Sequence, residues 1–323
     1  MKTVLLTGVA GFIGHRTAQF LLRDGCRIIG VDNMNDYYDV RLKKHRLEQL
    51  IGNGGFEFHE IDIEDKRELK ALCESNSIDA ILNLAARAGV PYSLKNPDLY
   101  VATNLQGSIN LLELANDHNI GKYVLASTSS IYAGEEMPFS EDLAVNFPIS
   151  PYAASKKGAE LMAYAYHHIY RIDVTVLRYF TVFGPAGRPD MSIFRFIKWI
   201  DEGFPIKLYG DGTQSRDFTF VDDIAEGTVK SLKKVGYEII NLGGGKSPIS
   251  LLWVIDFIGK RLGKKVKIEF KEFQKTDIKE TLADITKAKQ LLDWVPQVSF
   301  EEGLEKSIHW YKKNRSWLKT VKI

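Results

Sequence analysis

The chain has 323 residues, 45% of them hydrophobic and 26% charged, which is a globular composition and excludes a largely disordered chain. At roughly 150 residues per domain, that length predicts about two domains. Forty-three Lys+Arg against forty-one Asp+Glu leave a formal charge of +2, so the global charge points to neither nucleic acid nor an anionic membrane as a partner. Two cysteines, Cys26 and Cys73, exclude a disulfide framework and read as buried, reduced thiols. The opening MKTVLLTGVAGFIG meets glycines too early for a secretory leader, and no apolar run approaches the ~18 residues of a membrane span. A cytoplasmic protein is expected.

A β-rich run at Thr3–Thr7 enters a glycine turn and then an amphipathic stretch, Phe12–Arg23. Strand candidates recur at 27–31, 56–60, 80–84, 123–127 and 174–179, with helical periodicity at 41–51, 99–118 and 152–169. This alternation predicts an α/β fold, a doubly wound parallel sheet of Rossmann type. Ligands bind such sheets at the carboxyl ends of the strands. Beyond Gly184 the rhythm loosens: Pro185, Gly187 and Pro189 break the chain, Ser192–Glu202 reads as a helix, YGDGTQSRDF as turns and 238–242 as another strand. The expected division is a nucleotide-binding domain over 1–180 and a smaller C-terminal substrate-binding part over 181–323, with elements crossing back.

Gly8, Gly11 and Gly14 follow the first strand directly and open the first helix. Glycine there allows a sharp turn and a close approach of a pyrophosphate to the helix N-terminus, and Phe12 and Ile13 lie in the same turn. Asp32 ends the second strand, where a carboxylate accepts hydrogen bonds from an adenosine ribose and repels a 2′-phosphate. NAD is therefore the expected cofactor, and Arg16, in the first helical turn, reads as a solvated surface residue.

Tyr152 and Lys156 form Y-x-x-x-K at the start of a helix that Pro151 is suited to begin. Four residues apart, they share one helical face. A tyrosine with a pKa near ~10 is too weakly acidic to act as a base at neutral pH. A neighbouring ammonium and the positive ring of NAD⁺ favour its phenolate. Ser127-Thr128-Ser129-Ser130 follows the fifth strand, where a hydroxyl reaches a substrate hydroxyl and the Tyr152 oxygen together. The set in this order points to chemistry at an alcohol carbon. The seven histidines show no metal-ligand spacing, His167 and His168 pointing to different faces of one helix, and no metal is expected.

The G-x-x-G-x-x-G spacing resembles that of the extended short-chain dehydrogenases/reductases. Val31-DNMNDYYDVRLK, Ala85-ARAGVPYSL, Tyr152-AASKKGAELM, Arg178-YFTVFGPAGRPDM, Arg216-DFTFVDDI and ADITKAKQLLDWVP narrow the resemblance to the nucleotide-sugar epimerases of that superfamily, most closely the UDP-glucuronate 4-epimerases. The resemblance implies that Asp62 and Ile63 flank adenine, that Leu84, Ala85 and Ala86 line the cofactor cleft, and that Asn33, Asn104 and Tyr179 belong to the cofactor site. It implies that Thr128 hydrogen-bonds the sugar 4-hydroxyl, Tyr152 removes its proton, and Lys156 holds the nicotinamide ribose and tunes Tyr152. Hydride leaves C4, the 4-keto sugar rotates and hydride returns to the other face, so the cofactor is retained.

A 4-keto uronate is a β-keto acid that loses CO₂ when its C5–C6 bond stands perpendicular to the carbonyl plane. By the same resemblance Thr181 and Arg188 hold the carboxylate away from that alignment, helped by Ser129 and Ser130; an arginine fork suits the task. The 4,6-dehydratases carry Asp-Glu directly after the catalytic threonine, and the UDP-glucuronate decarboxylases a glutamate at the second position. This chain has serine at both. Arg216 matches a diphosphate contact, Lys207 and Tyr209 a uracil-binding segment, and Asp277 a uridine ribose contact. The chain departs from the family at Lys275-Thr276, where Pro-Gly is usual, at Arg87 for glutamine, at Pro91 for arginine and at Ala133 for glycine. The alternatives are a 4-epimerase of neutral UDP-hexoses or UDP-N-acetylhexosamines and, further off, a non-catalytic NAD-binding regulator. A homodimer pairing helices 99–118 and 152–169 across a two-fold is expected from relatives.

Overall fold

Every residue of β1 (Thr3–Thr7) is buried, as a strand covered by helices on both faces must be. The computed structural model, which describes residues 1–273 and 278–323, continues with β2 (Arg27–Val31), β3 (Phe56–His59), β4 (Ala80–Asn83), β5 (Lys122–Thr128), β6 (Asp173–Tyr179), β7 (Thr181–Phe183), β8 (Ile206–Tyr209), β9 (Ser215–Arg216), β10 (Phe218–Phe220), β11 (Tyr237–Leu242), β12 (Ile249–Ser250) and β13 (Ile268–Lys271). Seven of them form one sheet in the order β3-β2-β1-β4-β5-β6-β11, parallel throughout. The winding reverses at β1, which lies between β2 and β4, and this opens a crevice at the carboxyl ends of β1 and β4. Because β11 returns to pair with β6, the second part of the chain completes the sheet of the first. The other six strands make three two-stranded sheets, β7 with β10, β9 with β12 and β8 with β13.

Side chains of successive strand residues enter opposite cores. Leu5, Ile29, Ile81, Leu125 and Val176 pack on one face against Leu111, Leu112 and Ala159, while Val4, Leu6, Ile28, Leu82 and Val124 pack on the other against Ala18, Leu21 and Trp294. A third core, built from Phe183, Phe196, Phe218, Phe220 and Phe300, belongs to the C-terminal part, and Leu42 enters it from the helix Val40–Glu48. Arg46, on the same helix and fully buried, donates to Ala10 O at 3.1 Å and to Ala186 O at 3.0 and 2.8 Å. It thereby ties the glycine turn to the loop that carries Arg188.

The stretch 99–118 is not one regular helix. A helical turn at Pro97–Tyr100 runs into six residues, Val101–Gln106, with wide i→i+5 bonding, before Gly107–Asp117 resumes the α-form. In the wide segment Asn104 turns inward, giving Nδ2–H to Arg87 O at 2.9 Å and taking Arg87 N–H on Oδ1 at 2.9 Å. The bulge is how a helical side chain acts as a strand partner to the segment after β4. Cys73 is buried, whereas Cys26 is only half-buried, because it lies in the turn before β2; burial pushes both thiols above their ordinary range. Arg16 is not solvated as expected: it grips Asp222 through Nε and Nη2 at 2.6 and 2.7 Å, clamping the first helix to Val221–Lys230. Among the described residues no helix is long and apolar enough to cross a membrane.

Candidate active site

The glycines of the turn after β1 have no room for a side chain. Gly8 has φ +68°, and a Cβ there would stand 2.8 Å from the Leu84–Ala85 backbone; one at Gly14 would stand 2.1 Å from Gly8 O. Gly11 caps the helix Phe12–Arg23 with no side chain, so its first amides are left for an anion. The residues present therefore fit the pyrophosphate of a dinucleotide. Asp32, at the carboxyl end of β2, is buried, accepts Ala10 N–H and Met34 N–H at 3.2 and 2.9 Å, and is joined by Lys43 Nζ at 3.1 Å. Asn33 donates to Asp62 at 2.7 Å, linking the second and third strand ends.

A cleft of about 990 Å³ runs from this turn across the sheet's carboxyl edge. Gly8, Gly11, Phe12, Ile13, Gly14, Asp32, Asn33, Asp62, Ile63, Leu84, Ala85, Ala86 and Tyr179 all line it, and so do Thr128, Ser129, Ser130, Tyr152, Lys156, Thr181 and Arg188. That volume lies at the upper end of the ~300–1,000 Å³ typical of one small-molecule site. Asn104 does not line it; it supports the cleft wall through Arg87 and Ser155. Lys207, on β8, and Tyr209 lie partly exposed outside this lining. Arg216, also outside it, donates to Ser215 O at 2.9 Å and Lys279 O at 3.3 Å. Asp277, expected at the uridine ribose, falls outside the described residues.

Thr128 ends β5 in extended backbone, and its Oγ1 accepts Ser130 N–H at 3.1 Å as the chain enters a single tight turn, Ser129–Tyr132. Tyr152 enters from the helix Pro151–Tyr170, which Ser150 caps by accepting Ala153 N–H at 3.2 Å. Burial raises the Tyr152 phenol above its ordinary pKa, while the hydrogen bond with Thr128 and the charge of Arg188 pull it back. Lys156 donates to Ala126 O at 2.8 Å. Burial pushes its ammonium down to about 8, with Glu160 one turn along opposing the shift. The protein alone thus holds Tyr152 as a phenol.

Beneath this pair lies a charged layer that sequence reasoning missed. Glu160 accepts Ser127 Oγ–H at 2.6 Å and both arms of Arg178 at 3.0 and 2.8 Å, while Arg178 Nη1 donates to the Tyr132 hydroxyl at 2.8 Å. The signal was available: Glu160 continues the four-residue spacing from Tyr152 through Lys156, so it shares their helical face. Also unassigned from sequence were Lys43 beside Asp32, Asp190 beside Arg188, and Arg195, which lines the cleft with a buried Nε that has no hydrogen-bond partner among the described residues. Arg87 lines it in the same condition, one residue beyond the strand-end alanines.

A doubly wound sheet whose first turn carries three glycines with no room for a Cβ, and whose fifth strand brings a threonine hydroxyl to a buried tyrosine–lysine face, defines a dinucleotide-dependent enzyme of the extended short-chain dehydrogenase/reductase class. A family model described as GDP-mannose 4,6 dehydratase matches residues 5–307, and the chain belongs to that family. It is 58% identical to the UDP-glucuronate 4-epimerase of Thermodesulfobacterium geofontis (strain OPF15) over 323 residues, 100% of each chain. UDP-glucuronic acid 4-epimerase from Bacillus cereus, solved with UDP-glucuronic acid and NAD, superposes with a TM-score of 0.91 at 37% identity, covering 97% of this chain and 100% of that one. UDP-glucose 4-epimerase from Thermotoga maritima, solved with UDP-glucose, gives 0.88 at 29% identity, covering 97% and 99%.

Proposed function

We propose that the chain catalyses reversible C4 epimerisation of UDP-glucuronate and UDP-galacturonate with NAD retained between turnovers. The observation that carries this reading is one cleft lined by Thr128, Tyr152, Lys156 and Arg188 together with the glycines Gly8, Gly11 and Gly14 of the first turn. The relatives named above for uronate epimerisation support the substrate, and one of them was solved with NAD and UDP-glucuronic acid.

The backbone at Gly8–Gly14 and the Asp32 carboxylate would hold NAD, with Asp62 and Leu84–Ala86 along its length. When bound, NAD supplies the hydride acceptor and donor for C4 and a positive ring that favours the Tyr152 phenolate. Thr128 orients the sugar 4-hydroxyl and Tyr152 takes its proton, returning it when the hydroxyl re-forms on the opposite face. The Lys156 ammonium steadies the phenolate, and Glu160, one turn along and paired with Arg178, opposes the burial that lowers that ammonium. Arg188 and Thr181 hold the uronate carboxylate. Ser129 and Ser130 stand where the dehydratases carry acids, so no carboxylate there takes a C5 proton.

Incubation with UDP-glucuronate and no added cofactor tests the reading, with products separated by anion-exchange chromatography. UDP-galacturonate is the expected product. Conversion of UDP-glucose but not of UDP-glucuronate would transfer the assignment to the neutral hexoses, and bound NAD without conversion of either sugar would favour a regulator.

A homodimer belongs to the same reading. Leu161, Tyr164 and Ile169 are 59%, 51% and 63% exposed on the helix Pro151–Tyr170, apolar surface available to a second copy. Sedimentation at micromolar concentration should give twice the 36.6 kDa chain mass; a monomer there would contradict it.

A further inference from the structure

Arg188 does not enter the cleft as a free guanidinium. Its Nε donates to Asp190 Oδ1 at 3.1 Å and its Nη2 to Asp190 Oδ2 at 2.5 Å, a two-bond fork across Pro189. Tyr37 closes on the same pair, its hydroxyl 3.5 Å from Asp190 Oδ2 and its ring centroid 5.6 Å from the guanidinium carbon. Tyr37 is itself wedged in place: it meets the Tyr92 ring edge-on at 5.0 Å, and a Cβ at Gly89 would stand 2.5 Å from its hydroxyl. The Tyr100 hydroxyl, reaching Ala88 O and Gly89 O at 3.1 and 2.8 Å, pins the segment beneath.

Burial works against both charges of the pair, yet Asp190 holds the guanidinium above its ordinary range and Arg188 holds the carboxyl below its own. A guanidinium whose Nε–Nη2 edge is occupied keeps its Nη1 side for a further acceptor, and that group has no partner among the described residues. An arginine not held in this way samples several rotamers and carries any bound carboxylate with it.

We propose that Asp190, braced by Tyr37, is a positioning residue that fixes Arg188 so the uronate carboxylate is received on one guanidinium side and kept out of the geometry that releases CO₂. The proposal rests on the uronate reading above. In the reaction it prevents, the C5–C6 bond of the 4-keto uronate breaks and its electron pair passes into the C4 carbonyl as an enolate. CO₂ departs, and C5 takes a proton from solvent, leaving a 4-keto pentose. Holding the C5–C6 bond near the carbonyl plane denies that electron pair its overlap. A carboxylate that drifts with a loosened arginine regains it.

The test is the partition of products from UDP-glucuronate with the purified holoenzyme: UDP-galacturonate against CO₂ and UDP-pentose, the latter counted with its 4-keto form. Asp190→Asn should raise CO₂ per UDP-galacturonate formed by about tenfold or more, because sub-ångström placement of a reacting group carries effects of this order. Tyr37→Phe, which leaves Asp190 in place and removes only the brace, should raise it less, by roughly two- to threefold. Retained NAD absorbance and an unchanged melting temperature identify folded variants. Should Asp190→Asn fail to fold, Asp190→Glu, which keeps the charge but displaces it by one methylene, carries the same expectation. A merely structural role would lower turnover without changing the partition. Variants that turn over with the wild-type partition overturn the proposal while the uronate reading stands; a wild type that makes no UDP-galacturonate overturns that reading and the proposal with it.

Discussion

At the catalytic end of the molecule, Thr128 hangs from a seven-residue strand in a seven-stranded sheet, and Tyr152 and Lys156 share one face of a twenty-residue helix packed against it. At the other end Lys207 and Tyr209 stand on a four-residue strand and Arg216 on a two-residue strand, each in a two-stranded sheet and outside the cleft lining. The first set is held in place before any ligand arrives, by long elements with many shared hydrogen bonds. The second depends on short elements whose geometry few neighbours determine. Substitutions in the first region should therefore strike turnover, and those in the second should strike binding.

The largest effect expected is that of Tyr152→Phe. Removing the proton-transfer group should lower kcat by about 10²–10⁴-fold with NAD still bound after purification, as read by ultraviolet absorbance of the released cofactor. If kcat falls less than about tenfold, the catalytic end is not what the geometry says it is.

Glu160→Gln sharpens the same half by stability rather than rate. It leaves Arg178, only 1% exposed, without its carboxylate, and breaking one side of a buried ion pair costs about 3–5 kcal/mol. Denaturant unfolding of the variant should show that loss; a change below about 1 kcal/mol would mean the Tyr132 hydroxyl suffices to hold Arg178.

Arg216→Ala addresses the other region. Removing the cation that the family resemblance assigns to the diphosphate should raise KM for the nucleotide sugar about 10-fold or more while kcat changes little. A fall in kcat with unchanged KM would erase the contrast between the two regions.

The last expected effect is a pH dependence. Lys156 in the folded, ligand-free protein releases its proton from about pH 8, whereas the unfolded chain holds it up to about 10.5. Between those values the unfolded state binds more protons, so stability rises with pH there and is flat below about 8. Lys156→Met should remove that rise, measured as the difference between the two proteins' unfolding free energies across the window. A wild type and variant with parallel profiles would contradict the burial that lowers this group.

How much of this was legible beforehand follows from how far apart the interacting residues lie. The glycine turn, Asp32 and the Tyr152–Lys156 face depend on spacings of a few residues and on strand-to-helix alternation, so they stand out in the chain itself. The return of β11 to β6 pairs Tyr237 with Val174, and nothing local at 237–242 specifies that neighbour over another. The wide turns at Val101–Gln106 arise because Asn104 serves Arg87, seventeen residues away, and its own segment reads as ordinary helix. Asp190 was visible beside Arg188, but its fork geometry depends on the rotamer that Tyr37 enforces from 153 residues away. The nucleotide contacts that the resemblance implies are the least legible part: Lys207, Tyr209 and Arg216 follow a family pattern, and short strands supply no periodicity from which to deduce where they point.

The central claim is that one cleft inverts C4 of a UDP-uronate while keeping the cofactor and the carboxylate in place. It is tested most directly with UDP-glucuronate carrying deuterium at C4, incubated without added NAD and followed by mass spectrometry and NMR. The account predicts UDP-galacturonate with the deuterium still on C4 and CO₂ released only as a trace side product. Exchange of that label with water, or a UDP-pentose as the main product, would contradict it.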